Sequence, residues 1–156
     1  MKMKKTGNNL SELDLHEFES KFQIHLPNDY KEFMLRSNGG IPVDGWIFNY
    51  VEDGDSNRSV IRDFLVIYKE ESKVNVYDDL ARAYIAIQNE QSAPQNYLPI
   101  ATDPGGNIIF LNAGKDKNGE VYFGNHEWED DETGYIFMSL IANSFSEFIN
   151  NCYTDE

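Results

Sequence analysis

Residues 97–131 read YLPIATDPGGNIIFLNAGKDKNGEVYFGNHEWEDD, three apolar runs separated by turn-forming residues. No other stretch constrains the fold so tightly. Residues 97–102 are expected to form a strand, Asp103-Pro104-Gly105-Gly106 a tight turn, 107–113 a second strand, Asn118-Gly119 another turn, and 120–124 a third strand. Asn-Gly between apolar runs favours a type I′ hairpin, because both central residues of that turn need positive φ and these two tolerate it best. The expected product is an antiparallel meander. It runs directly into Trp128, set among Glu127, Glu129, Asp130, Asp131 and Glu132. That acidic run could be a tail, a metal site or a docking surface.

Helical signals flank the meander. Asp14 suits the N-cap of a first helix, with Glu17 completing a capping box and Leu13 placed to staple against Phe18. Leu15, Phe18 and Phe22 recur at helical spacing and predict its buried stripe. Pro27 fits the first position of a second helix, Asp29 complements its dipole, and Tyr30, Phe33, Met34 and Ser37 form its inner face. Asn38-Gly39-Gly40 is expected to end it through a left-handed glycine. Residues 45–51 (GWIFNYV) read as a strand, 52–57 as a polar loop, and 59–68 as a strand of ambiguous period. Residues 74–88 read as a helix opened by Asp78-Asp79, with Leu80, Ala83, Tyr84 and Ile87 on one face. Residues 135–138 suggest a last strand, and Ser144 with Glu147 starts a closing helix that buries Phe145, Phe148, Ile149 and Cys152. This order predicts an α+β fold: a largely antiparallel sheet of about six strands, with two N-terminal helices and one C-terminal helix packed on it. Residues 1–9 are expected to be a disordered leader and 10–156 one domain.

The charge is lopsided. Thirteen Lys and Arg stand against 27 Asp and Glu, a formal net charge of -14, which argues against nucleic-acid or anionic-membrane binding because both need positive potential. Residues 118–156 contain no Lys or Arg and nine acids. That field suits a basic protein partner, although acidity that serves only solubility gives the same composition. Trp128 reads as an aromatic anchor ringed by Glu127, Glu129, Asp130, Asp131 and Glu132, with Glu52, Asp53 and Asp55 as a second acidic patch. The competing reading folds Trp128 back onto the sheet as core.

Catalytic and metal chemistry is hard to find. Asp53, Asp55 and Asn57 begin like a calcium loop, but the sixth position is Arg58 and the twelfth is Phe64, so the required glycine and bidentate glutamate are missing. Asp103-Pro104-Gly105-Gly106-Asn107 lies between strands, with no helix N-terminus to receive a phosphate. His126 beside Glu127 is half of an acid/base pair at most, and reads better as a surface residue of an acidic loop; His16 and His25 likewise have no partners. The lone Cys152 reads as packing. No metal or cofactor is expected. With no apolar run near the ~18 residues of a membrane span and no secretory signal, a cytoplasmic protein is expected.

Four motifs in order carry a resemblance. Leu26-Pro27-Asn28-Asp29-Tyr30-Lys31-Glu32-Phe33 closed by Asn38-Gly39-Gly40, then Leu98-Pro99-Ile100-Ala101 with Asp103 and Gly105-Gly106-Asn107, then Val121-Tyr122-Phe123 with His126-Glu127, and finally Ile141-Ala142-Asn143-Ser144-Phe145 with Glu147-Phe148-Ile149 together resemble the SUKH superfamily. That superfamily includes fungal cell-wall-synthesis regulators and bacterial immunity proteins. The resemblance implies a non-enzymatic immunity protein that binds and occludes a cognate toxin domain with a basic surface, often a nuclease. A regulatory scaffold of the fungal type is the alternative, and a small hydrolase using His126 is a second. The matched motifs identify the fold better than the binding surface, which varies among such proteins.

Overall fold

The computed structural model of the chain describes residues 1–69 and 78–155. Among them are four helices, α1 (Glu12–Phe22), α2 (Asn28–Arg36), α3 (Leu80–Glu90) and α4 (Phe145–Asn151). The strands are β1 (Met3–Lys4), β2 (Ile41–Pro42), β3 (Trp46–Glu52), β4 (Asp55–Val60), β5 (Asp63–Phe64), β6 (Tyr97–Thr102), β7 (Ile108–Asn112), β8 (Val121–Glu129), β9 (Ile136–Ala142) and β10 (Tyr153–Thr154). Six of these are longer than two residues. All strand pairings are antiparallel, in sheets of order β5-β6-β7-β8-β9, β10-β3-β4 and β1-β2. The α+β architecture predicted from the sequence is therefore the one observed.

The main core lies between one face of the five-stranded sheet and helices α1, α2 and α4. Leu15, Phe18, Tyr30, Phe33, Met34, Phe145 and Phe148 meet Phe64, Leu98, Ile100, Ile109, Leu111, Val121 and Phe123 there, all buried. Aromatic rings run through it: Phe33 to Phe145 at 5.0 Å, Phe148 to Phe48 at 5.8 Å, Phe48 to Phe123 at 5.8 Å, and Phe123 to Tyr50 at 4.0 Å between centroids. Each such contact adds roughly 0.5–1.5 kcal/mol beyond the area it buries. A smaller cluster on the opposite face joins Ile87 of α3 to Phe110, Tyr122, Ile136 and Met138.

Local chemistry explains where the elements differ from expectation. The first helix starts three residues early, because Ser11 is the N-cap and Asp14 is its reciprocal capping-box partner. Leu13 consequently points to solvent, 63% exposed, and staples nothing. Pro27 lies just outside α2, as its N-cap. Asp29, in the first turn, accepts from the Tyr30 N–H and from the Ser146 N–H at the start of α4, tying two helices with one carboxylate. Helix α2 ends on extended Ser37, so the left-handed Gly39 (φ 64°) serves another purpose. A Cβ there would come within 2.5 Å of the Leu65 carbonyl oxygen, and only glycine permits that approach.

Residues 1–9 are not the disordered leader expected. Met3 and Lys4 pair with Pro42 and Ile41, and the Gly7 N–H donates to the Asn38 carbonyl. Buried Asn38 also donates to the carbonyls of Asn8 and Ile67 and accepts from the Ile67 N–H, so one side-chain amide fastens three segments. Of residues 59–68, only 59–60 and 63–64 are in strands. The rest is held group by group, for instance by Leu65 N–H to Ile100 and Val66 N–H to Asp78. Helix α3 begins at Leu80 with Asp79 as N-cap; the expected helical residues 74–77 lie outside the described residues.

Two turns exchange roles. The polar loop expected at 52–57 is a hairpin: Asp53 (φ 51°) and Gly54 (φ 82°) connect β3 to β4, with Glu52 opposite Asp55. Asn118-Gly119, the expected tight turn, sits in an eight-residue connection whose left-handed residues are Lys117 and Gly119. Side-chain amides organise that loop. Asn118 Nδ2 donates to the Gly114 and His25 carbonyls, and Asn112 Nδ2 to the Asp116 carbonyl.

Candidate partner-binding surface

Strand β8 was expected to stop at Gly124, but it continues to Glu129. Its ladder with β7 ends at Ile108 opposite Gly124, so the remaining residues extend past the β7 edge and pair with β9 alone. There the register shifts: Asn125 faces Phe137 and Glu129 faces Ile136, leaving His126, Glu127 and Trp128 without counterparts. Alternation is lost across this bulge, and His126, Glu127, Trp128 and Glu129 are all exposed in succession. The first half of the acidic run is therefore bulged strand, and Asp130, Asp131 and Glu132 enter the turn to β9.

Hydrogen bonds fix the overhang. The His126 N–H donates to Asn107 Oδ1, and His126 Nε2 bonds the Gly105 carbonyl oxygen at 2.7 Å, with the ring as donor. This histidine lies on strand β8, exposed and strapped over the β6–β7 turn, and is not in a loop. The turn beneath is itself organised by one carboxylate. Buried Asp103 accepts from the Gly105 and Asn107 N–H groups, the Asn107 amide and the Ser59 hydroxyl. Asn125 Oδ1 accepts from the Glu127 N–H, and its Nδ2 donates to the Glu52 carboxylate at 3.1 Å.

That last contact unites part of the predicted surface. Glu52 is half-buried and joined through Asn125 to the overhang, while Asp53 and Asp55 are exposed at the tip of the same β3–β4 hairpin. Among the described residues, no hydrogen bond or salt bridge links Asp53 or Asp55 to the β8–β9 turn. Tyr50, whose ring stacks on Phe123, has its hydroxyl pKa raised by burial and then by the charges of Glu52 and Asp103. Asp130 differs from its neighbours. Its carboxylate accepts from the Thr133 and Glu132 N–H groups, and these bonds hold its pKa below the usual aspartate value. It shapes the turn, whereas Asp131 and Glu132 point to water.

Trp128 neither folds into the core nor stands free. Its indole stacks on half-buried Phe137 of β9, centroids 3.9 Å apart and planes 10° from parallel, and the residue stays 37% exposed. Phe137, Asn125 and Asn107 are the contributors that the sequence reading missed. The histidine and the glycine-rich turn were visible as motifs, but the bulge that places Trp128 over Phe137 has no signature in either strand. Among the described residues, salt bridges join Lys31 to Glu19, Arg58 to Asp155, Lys69 to Asp14 and Arg82 to Asp79, and none involves the acids of this surface. No group of three potential metal ligands converges among the described residues. None of their helices is long and apolar enough to cross a membrane.

The model of the SMI1 / KNR4 family (SUKH-1) matches residues 9–151. The chain is similar to the SPbeta prophage-derived uncharacterized protein YokK of Bacillus subtilis (strain 168), 30% identical over 152 residues that cover 86% of this chain and 70% of that protein. No solved structure gives a significant match.

Proposed function

The chain belongs to the SMI1 / KNR4 family (SUKH-1), and on that footing we propose that it is an immunity protein that binds and neutralises a cognate toxin domain by occluding it. The observation that carries this reading is the outer part of β8. Glu127, Trp128 and Glu129 are pushed into solvent by a bulge, Asp131 and Glu132 continue the acidic edge, and none of the salt bridges found among the described residues involves these acids. Glu52, Asp53 and Asp55 extend the same negative surface along the adjoining hairpin. Such a field selects a partner of positive potential. A nuclease fits, since an active site that attracts phosphate also attracts a carboxylate surface. Electrostatic steering can lift association well above the unassisted rate of roughly 10⁵–10⁶ M⁻¹s⁻¹, and speed matters against a toxin in the same cytoplasm. The prophage origin in the relative's name accords with a gene carried beside the toxin it neutralises.

Coexpression of this chain with the product of the adjacent gene tests the reading. The expected result is restored growth and a stable complex; unrelieved toxicity, or an adjacent product that is neither toxic nor bound, would sink it.

A further inference from the structure

Resting on that reading of outer β8, we propose that the Trp128–Phe137 stack is a platform for one arginine side chain of the partner. Phe137 occupies one face of the indole at 3.9 Å, and Trp128 keeps 37% of its surface exposed. The near-parallel stack sets the plane of the ring, so less rotamer freedom remains to be lost on binding. The adjoining residues Glu127 and Glu129 are exposed carboxylates, and none of the salt bridges found among the described residues uses them.

An exposed aromatic ring with an exposed carboxylate on either side in the sequence attracts a cation, and the chemistry favours guanidinium over ammonium. Guanidinium is planar and weakly hydrated, so it can lie flat on the indole while its edge N–H groups reach carboxylate oxygens; a lysine ammonium is a hydrated point charge that does one or the other. A second copy of this chain would bring like charges together, because residues 118–156 hold nine acids and no Lys or Arg. An aliphatic occupant would leave both carboxylates facing apolar surface.

The test uses the full chain and dye-labelled hexa-arginine and hexa-lysine peptides, followed by fluorescence anisotropy at physiological salt. Both peptides carry the same charge, so steering alone binds them equally. Hexa-arginine is expected to bind roughly 3- to 10-fold more tightly. Trp128→Leu should bring that ratio close to one while residual binding of both peptides persists. Glu127→Gln with Glu129→Gln, which leaves the stack intact, should narrow it. Equal binding by the natural chain, or an unchanged ratio in both variants, would overturn the proposal. No toxin is needed, so the two readings fail separately: toxin neutralisation without arginine preference removes the platform alone, and arginine preference without neutralisation removes the immunity role alone.

Discussion

Residues 121–124 and 125–129 belong to one strand and live in different environments. The inner half has β7 on one side and β9 on the other; Val121 and Phe123 are buried, and Gly124 is there because a Cβ would approach Phe110 to 2.7 Å. The outer half has only β9, a bulge, and four exposed residues in a row. Residue type changes at the same place, from Val121-Tyr122-Phe123-Gly124 to polar and acidic residues around Trp128. The boundary falls where β7 begins, at Ile108, so a difference in strand length divides scaffold from surface. The lesson is that one continuous strand can hold a buried aromatic residue and an exposed one five positions apart, provided that its neighbour stops first.

Three variants sharpen or break this division. The largest effect is expected for Phe123→Ala, which removes a ring stacked on Tyr50 and packed against Phe48. It should lower stability by about 3–5 kcal/mol, read as a reduced urea midpoint. A loss below 1 kcal/mol would show that the inner half is not core. Next, Glu127→Gln, Glu129→Gln, Asp131→Asn and Glu132→Gln combined should leave the urea midpoint unchanged and slow association with the toxin on the order of tenfold at low salt. Asp130 is kept because its carboxylate holds the turn. Association that is as fast and as salt-dependent as before would remove steering from the account. The smallest effect belongs to His126→Ala, which cuts the strap between the outer half and the β6–β7 turn. It should cost about 1 kcal/mol and raise amide exchange at Glu127 and Trp128 while leaving Phe123 protected. Equal loosening of both halves would mean that the strand behaves as one unit.

Much of the scaffold was legible because its signals are local. Ser144 with Glu147, Asp79, and the apolar period of Tyr30, Phe33 and Met34 read directly as caps and buried faces. The misses follow from competition between similar signals. Ser11 and Asp14 both look like N-caps, and the box uses the two together with Ser11 outermost. Asp53-Gly54 carries the same turn chemistry as Asn118-Gly119, yet sits among polar residues; β4 (DSNRSV) is an edge strand with little apolar alternation to reveal it. The surface was half legible. Acidic residues around a tryptophan show in composition, but Glu52 reaches Asn125 across 73 positions, and Phe137 meets Trp128 only through a register shift that propensity does not encode.

The bulge has a consequence for how this surface can change over generations. Asn125 and Glu129 keep their places opposite Phe137 and Ile136, and the residues between them have no cross-strand partners to match. A residue exchanged, gained or lost at 127–128 need not slide the buried half of β8 past β9, which in an unbroken ladder would turn every core side chain outward. What holds these residues lies outside the ladder: His126 is tied to the turn below, the Glu127 N–H to Asn125, and the Trp128 ring to Phe137. The segment works as an expansion joint, able to change in sequence while the sheet behind it holds its register.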